Sequence, residues 1–210
     1  DAIITANVIY DNNYGIYIGS YPEDTLIEGN TVHDNQYDGV YLSRDTNTTV
    51  RGNTIYSNSW GVYAYYSNGA EIGDGNVVYA NRSGGINAYD GSANIFGNEV
   101  FQNSAYGIYL YHGTHTAQDN EVHGNVTGIQ ASSGRVEDNR VYNNSNAGIY
   151  LYYGTPALGN VVYSNSIGIQ AQGHQVADIF RIENNLVYAN TNHGIWLGNV
   201  VGPQVVNNTV

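Results

Sequence analysis

The sequence contains no cysteine, methionine or lysine, and only 11% of its 210 residues are charged. The absence of cysteine excludes a disulfide framework and a thiolate site. Arginine is the only strong base, and the formal charge of −12 argues against nucleic acid or an anionic membrane as a partner. No apolar run is long enough to span a bilayer, so we also predict no membrane insertion. An acidic surface of this kind suits solvent, cations or neutral ligands.

Strong helix signals are equally scarce. No segment sustains a 3.6-residue apolar period, whereas glycine (26) and tyrosine (21) are abundant. Apolar residues instead alternate with polar ones over short runs that are separated by asparagine and glycine. Alternation with a period of two is typical of β-strands, so the sequence predicts an all-β chain.

One pattern recurs from end to end. Its clearest copy, Asn53–Tyr63, has an asparagine, an aliphatic residue two positions later, a second asparagine, and then glycine, valine and tyrosine. The first asparagine recurs at intervals of 19–25 residues, at Asn7, Asn30, Asn53, Asn76, Asn98, Asn120, Asn139, Asn160, Asn185 and Asn208. Three short alternating runs per repeat leave no room for a crossover helix. They predict a single domain, 1–210, built as a solenoid of about nine coils with three short strands each.

The repeat glycine and the two asparagines are expected to be turn residues. We expect the glycine, as at Gly61, to adopt the positive φ of a sharp bend, which glycine enters freely. Asparagine tolerates the same left-handed region. Stacked asparagine amides can also donate to the carbonyl groups of the next coil, at roughly 1 kcal/mol net for each bond. We therefore interpret these residues as scaffold.

The pattern Asn-x-Ile-x-x-Asn-x-x-x-Gly-Ile-x-Leu resembles the right-handed parallel β-helix repeat of pectate-lyase-like and NosD-type proteins, which include mannuronan epimerases. A leucine-rich-repeat horseshoe has a similar period, but this sequence lacks the outer helix or extended segment of that fold. The resemblance implies an extracellular, cell-surface or periplasmic protein that acts on polysaccharides as a lyase, hydrolase, epimerase or binder. The Asp-Pro-His-Asp motif of the epimerases and the paired aspartates of pectin hydrolases are absent.

The residues after each repeat glycine predict an aromatic face. Alternation directs every second side chain outward, and stacking in register aligns these side chains in two columns. Tyrosine rings beside asparagine and glutamine suit sugars, whose faces stack and whose edges form hydrogen bonds. The same rings could instead be a structural ladder, as we expect for the aromatic column that contains Tyr56. The predicted ligand-binding residues are Tyr41, Tyr63, Tyr65, Tyr89, Tyr109, Tyr111, Tyr150, Tyr152 and Trp196.

A further column, five positions after the glycine, offers acid–base chemistry. The candidate catalytic residues are Arg44, Tyr66, Asp90 and His112. A uronate lyase or epimerase needs a base, an acid and a cation that neutralises the carboxylate, and these side chains could fill those roles. No metal site and no cofactor are predicted. His112 and His115 come nearest to a ligand pair, and Glu23-Asp24 offers only a weak Ca²⁺ site.

The sequence leaves three functions open. The leading hypothesis is a module of an exported or surface protein that binds polysaccharide along the tyrosine-rich face. The first alternative is a structural, fibre-forming solenoid without a ligand, and the second is a uronate lyase or epimerase. The residues do not decide whether the protein is an enzyme. Because neither end carries a polar or helical cap, we expect a segment of a longer chain, with end-to-end self-association as the alternative.

Overall fold

The computed structural model describes residues 2–19, 23–173 and 179–210, which wind into a parallel β-solenoid. These residues form 26 strands, paired in parallel with the equivalent strands of neighbouring coils. Each coil contributes one strand to each of three faces, which we call sheets I, II and III in chain order. The predicted architecture of about nine coils with three strands each is confirmed. The described residues include no helix that is long and apolar enough to cross a bilayer.

The three sheets form two hydrogen-bonded ladders, because two long strands turn the corner from sheet III into sheet I and join them. The long strands are Trp60–Gly73 and Gly84–Phe96. Sheet I also contains Ile3–Thr5, Leu26–Glu28, Thr49–Arg51, Thr116–Gln118, Arg135–Glu137, Ala157–Leu158, Arg181–Glu183 and Gln204–Val206. Sheet II contains Val8–Tyr10, Thr31–His33, Thr54–Tyr56, Val77–Tyr79, Glu99–Phe101, Glu121–His123, Arg140–Tyr142, Val161–Tyr163 and Leu186–Tyr188. Sheet III also contains Ile16–Gly19, Val40–Ser43, Tyr106–Tyr111, Thr127–Ala131, Ala147–Tyr152, Ile167–Gln172 and His193–Gly198.

The core is a continuous column of aliphatic side chains. Ile27 in sheet I, Val32 in sheet II, and Val40 and Leu42 in sheet III point inward and are fully buried. Each inward residue lies on its counterpart in the next coil, about 4.8 Å along the axis, so the core extends through successive coils without a break. The alternating outward positions are therefore the ones left for surface chemistry.

Both asparagine columns form hydrogen-bonded ladders inside the turns. The Oδ1 atom of buried Asn53 accepts the backbone N–H of Asn30 at 2.9 Å, and its Nδ2 atom donates to the carbonyl oxygens of Ile27 and Arg51, each at 2.9 Å. The same Nδ2 atom also donates to the side-chain oxygen of Asn76 on the next coil at 3.0 Å, as expected, so each asparagine links its coil to both neighbouring coils. The left-handed residue is the one before the asparagine, such as Gly52 at φ 61°.

The repeat glycines allow close packing, which corrects the expectation of a positive φ. None of those in the described residues has a positive φ. At Gly39, a Cβ atom would lie 2.6 Å from the Ile55 side chain, 2.7 Å from the carbonyl oxygen of Gly61 and 2.9 Å from Asn58 Nδ2. No side chain fits there, because the next asparagine turn packs directly against the glycine backbone.

The outward residues of sheet II form a continuous stack of nine rings. Neighbouring ring centroids are 4.8–5.1 Å apart, with interplanar angles of 1–15°. The members are Tyr10, His33, Tyr56, Tyr79, Phe101, His123, Tyr142, Tyr163 and Tyr188. The spacing equals the coil rise of about 4.8 Å, and parallel planes cover both faces of every interior ring. This is the geometry expected of a structural ladder.

Candidate functional site

The outward side of sheet III carries the predicted aromatic columns in the register that the repeat implies. Tyr41 pairs with Tyr63, and Tyr65 pairs with Tyr89, on adjacent coils. The strand neighbours of Tyr63 on both sides are fully or almost fully buried core residues. Its ring, like the others in these columns, therefore projects away from the core.

The rings on this face touch one another without stacking regularly. The ring centroids of Tyr41 and Tyr63 are 5.4 Å apart at an interplanar angle of 73°, and those of Tyr65 and Tyr89 are 5.5 Å apart at 32°. The corresponding angles in sheet II never exceed 15°. Tilted rings leave edges, hydroxyl groups and parts of their faces at the surface, which a flat stack would cover.

Trp60 reaches across one coil of this face. Its indole lies 6.2 Å from the ring of Tyr106 at an interplanar angle of 5°, and 6.4 Å from the ring of Tyr109. Gly84, the equivalent residue on the intervening coil, has no side chain, and the indole occupies the space where its Cβ would lie. Asn87, which pairs with Tyr109, is also covered: it is 5% exposed, and its Oδ1 atom has no hydrogen-bond partner in the described structure.

One coil after Tyr109, both aromatic columns are interrupted, and a cavity opens that we call the notch. In register, Gln130 takes the place of a tyrosine between Tyr109 and Tyr150. The notch has a volume of about 140 Å³ and is lined by Tyr109, Tyr111, Gln130, Ser132, Tyr152 and Tyr153. A larger depression of about 320 Å³ shares Gln130 and Tyr152 with it and extends to Tyr106 and Tyr150. Aromatic walls with a few polar groups are typical of a small-molecule subsite.

The predicted ligand-binding residues do not form one patch. The group linked ring to ring before the notch consists of Tyr41, Tyr63, Tyr65, Tyr89, Tyr109 and Tyr111. Tyr150 and Tyr152, with centroids 4.4 Å apart, lie beyond the notch. Trp196 lies two coils past Tyr150, with Gln170 between them in register. The notch therefore divides the face, and Trp196 is remote from it.

Burial raises the pKa values of three phenols on this face. Desolvation raises the pKa of Tyr63 to about 12 and also raises the pKa values of Tyr109 and Tyr152, which moves these hydroxyl groups further from ionisation. Near Tyr63, the carboxyl group of Asp38 is 7% exposed and accepts the backbone N–H of Trp60 at 3.1 Å. Burial raises the pKa of Asp38 to about 6, although this hydrogen bond opposes the shift.

The four candidate catalytic residues lie at the corner where sheet III ends, and each has a left-handed φ of 52–54°. The structure brings three of them together. The Oδ1 atom of Asp90 is 3.9 Å from the Nδ1 atom of His112, and a hydrogen bond to Asp90 raises the pKa of Tyr66. Arg44 is exposed at the corner of the coil before Tyr66. This arrangement offers an acid, a base and a phenol side by side.

His115 points into the solenoid, away from the surface that carries His112. It is 1% exposed, its Nδ1 atom accepts the N–H of Ala93 at 3.2 Å, and burial lowers its pKa. Its Nε2 atom has no hydrogen-bond partner in the part of the chain that the structure describes. No three histidine, aspartate or glutamate side chains of the described residues come together as a metal site. At the weak Ca²⁺ candidate, Asp24 Oδ1 accepts the amide of Asn47 at 3.2 Å.

The comparison with known families agrees with this geometry. A family model described as a right-handed β-helix region matches residues 1–127, which is more than half of the chain. The chain belongs to the right-handed β-helix family. This result confirms the resemblance seen in the repeat and fixes the hand of the coil. None of the curated protein sequences matches the sequence of this chain.

Several solved structures share the β-helix fold. The A-module of mannuronan C-5 epimerase AlgE6 from Azotobacter vinelandii superposes with a TM-score of 0.73 at 16% identity, over 90% of this chain and 58% of that one. A double mutant of the periplasmic alginate epimerase AlgG gives 0.70 at 20% identity, over 89% and 51%. The catalytic domain of Agl-KA gives 0.60 at 16% identity, over 98% and 46%. This β-helix thus spans about half the length of the similar structures, and identities this low show a shared fold alone.

The predicted site residues did not include three residues on the outward side of sheet III, namely Asp38, Trp60 and Tyr106. All three directly precede a repeat glycine. Backbone pairing places Trp60 and Tyr106 on either side of Gly84 in one column. This column forms a third line of positions on sheet III, and its three large aromatic residues, Tyr14, Trp60 and Tyr106, were the signal that could have revealed it.

Proposed function

We propose that this β-helix binds polysaccharide along the outward side of sheet III, as a module of an exported protein. The observation that carries the proposal is the contrast between the two aromatic sides of the solenoid. The rings of sheet II stack within 15° of parallel and have the geometry of a structural ladder. Most neighbouring rings of the two predicted columns on sheet III are tilted, as at Tyr41 and Tyr63, whereas Trp60 lies parallel to Tyr106 beside them. The tilted rings present faces and hydroxyl groups together. Sugar rings bind to surfaces of that composition.

The similar structures support the proposal without testing it. Two of them are described as epimerases of mannuronan or alginate, and one of these as periplasmic. A β-helix with an aromatic face and a net charge of −12 suits a protein that binds polysaccharide outside the cytoplasm. The notch beside Tyr109 and the adjoining depression beside Tyr150 give this surface a defined place for a ligand.

Affinity electrophoresis in gels that contain soluble polysaccharides tests the proposal. We expect retardation of the chain by at least one polysaccharide, and weaker binding by about two- to tenfold in Tyr109→Ala and Tyr150→Ala, since one aromatic contact contributes about 0.5–1.5 kcal/mol. Tyr79→Ala is the matched control, because it removes a half-buried ring from sheet II instead. It should lower the melting temperature and leave binding unchanged.

Two results would contradict the proposal. The first is a folded chain that no polysaccharide retards, which would favour a structural solenoid whose tyrosines are ladders. The second is a loss of binding in Tyr79→Ala as large as that in the sheet III variants.

A second candidate function is a uronate lyase or epimerase. The specific observation in its favour is the group of Tyr66, Asp90 and His112 on three consecutive coils. An acid, a base and a phenol in contact suit proton abstraction and return. The test is incubation with alginate and pectate, followed by ultraviolet absorbance for new double bonds and by the uronate ratio. Activity that Asp90→Asn abolishes would establish this function, and inactivity of the intact chain would remove it.

A further inference from the structure

The cationic groups of this β-helix are almost all engaged away from the aromatic face. The chain has six arginines and no lysine. The ion pairs are Arg51 with Glu28, Arg135 with Glu137, Arg140 with Glu121, and Arg181 with Glu183. Arg82 donates to the carbonyl oxygens of Asn35, Gln36 and Ser57. Among the described residues, this leaves Arg44 as the exposed guanidinium on the side of the tyrosines.

Arg44 is too far from the notch to contribute charge there. It lies on the coil of Tyr41, and Gln130 lies four coils later. Four steps of about 4.8 Å give about 19 Å along the axis, which is more than twice the screening length of about 8 Å at physiological ionic strength. The nearer ionisable group is His112, stacked on Tyr111 at 4.1 Å, but its Nδ1 atom faces Asp90 at 3.9 Å. Any positive charge on this imidazole is offset by that carboxylate.

The notch has the dimensions of one missing aromatic layer. Tyr109 and Tyr150 are separated by the coil of Gln130, so their backbones lie two coil steps, about 9.6 Å, apart. A ring in van der Waals contact with both layers needs about 3.5–4.0 Å on each side. One pyranose ring satisfies that requirement. The polar groups at the base of this space, Gln130 and Ser132, are uncharged.

We propose that the notch binds one uncharged sugar ring of a neutral polysaccharide, and that this face selects against uronate chains. The inference rests on the proposed function and narrows its substrate class. A uronate carries one carboxylate for every sugar, and proteins recognise that group through arginine or lysine. The described residues around the notch offer no such partner, and no cluster of acidic or histidine side chains among them holds a bridging metal ion. Phenol, amide and serine groups instead match the hydroxyl groups of a neutral sugar.

The test measures dissociation constants for two sets of probes on the intact chain, with and without Ca²⁺. The neutral set is laminarin, hydroxyethyl cellulose, galactomannan and dextran, and the acidic set is alginate and polygalacturonate. Gln130→Tyr fills the notch with a phenol ring at a strand position that is tyrosine on both adjacent coils, at Tyr109 and Tyr150. The matched control, Gln170→Tyr, makes the same change in the same column two coils away and outside the notch.

We expect a neutral polysaccharide to bind more tightly than either uronate polymer, with a dissociation constant that is insensitive to added salt. Gln130→Tyr should weaken that binding at least tenfold, whereas Gln170→Tyr should change it less than twofold. Tighter binding of alginate or polygalacturonate, in either calcium condition, would overturn the neutral assignment while leaving polysaccharide binding intact. Unchanged binding in Gln130→Tyr would overturn the notch as the subsite. If no probe of either set binds, the proposed function itself fails.

Discussion

The Oδ1 atom of Asp38 accepts the backbone N–H of Trp60 from the next coil at 3.1 Å, at the edge of the tyrosine face. This is its single hydrogen bond in the described structure, and the carboxyl group is 7% exposed. Burial therefore outweighs the hydrogen bond and raises the pKa from 3.8 to about 6. Between these two values the folded state binds the proton more tightly than the unfolded state does. The stabilisation is complete in acid and is lost as the pH rises through about 6.

Asp38→Asn should therefore stabilise the protein increasingly as the pH rises from about 4 to about 6, with the full gain above pH 6. The amide keeps an acceptor for Trp60 and removes the buried charge, so we expect the free energy of unfolding at pH 8 to rise by up to about 3 kcal/mol. Near pH 3, where Asp38 of the native protein is protonated in both the folded and the unfolded state, the two proteins should be equal. Urea denaturation at both pH values measures the difference. Asp74→Asn, at an exposed turn, is the control, and a variant that is less stable at pH 8 would contradict the prediction.

His115 should make the protein less stable in acid, which is the opposite of the effect of Asp38. Its side chain is buried and burial lowers its pKa below 6.5, so the unfolded state binds protons more readily as the pH falls through 6.5. The native protein should lose stability in that range. His115→Gln should be less stable at pH 7.5 because packing is lost, but it should show a flatter dependence between pH 7 and pH 5. His112→Gln, which removes an exposed imidazole, is the matched control. An unaltered slope in His115→Gln would show that His115 does not cause this pH dependence of stability.

Gly84→Ala should displace the indole of Trp60. The added Cβ would occupy the position of the indole ring, and the contact with Tyr106 would be lost. We expect a loss of about 1–3 kcal/mol, as for other overpacked sites, and a red shift of tryptophan emission. Because the chain has two tryptophans, the emission is measured in a Trp196→Phe background. Ser104→Ala, at an exposed position of the next coil, should change neither quantity, and native emission from Gly84→Ala would show that Trp60 does not rely on the gap.

The asparagine ladder should be far more sensitive in its middle than at its end. Asn58 is fully buried, accepts the N–H of Asn35 at 3.1 Å, and donates to the carbonyl oxygens of Val32 and Tyr56. Asn58→Ala leaves these buried groups unpaired, and each such group costs about 1–3 kcal/mol. We expect a loss of more than about 3 kcal/mol in chemical denaturation. Asn12→Ala, in the same column but exposed, should lose less than about 1 kcal/mol; equal losses would mean that burial does not set the strength of the ladder.

The sequence predicted the aromatic columns well, because their register follows from the repeat. Tyr41 faces Tyr63 and Tyr65 faces Tyr89 as expected. The sequence did not predict how the rings are oriented, because alternation determines only the side of the sheet on which each side chain lies. The sequence also predicted the wrong role for the repeat glycines. Glycine is required both where φ is positive and where another part of the backbone packs closely, and the sequence does not distinguish these two reasons. At Gly39 the deciding contact comes from another coil.

The positions of the candidate catalytic and metal-binding residues were also predicted only in part. The spacing brought Tyr66, Asp90 and His112 into one column, and the structure places them together. His115, three residues from His112, is on the inside of the wall, because the chain turns a corner between them. The period-two rule applies within a strand and fails at such corners.

By itself, the sequence determined the solenoid, its coil length, its core and its outward columns. It could do so because each coil pairs in register with the next, and residues 19–25 positions apart in the chain become neighbours about 4.8 Å apart in space. Only the tertiary structure decided which aromatic columns stack flat, that Trp60 reaches over Gly84, that Asp38 is buried, and that the notch opens at Gln130. Those features depend on side-chain packing between columns and coils, which a one-dimensional repeat does not specify.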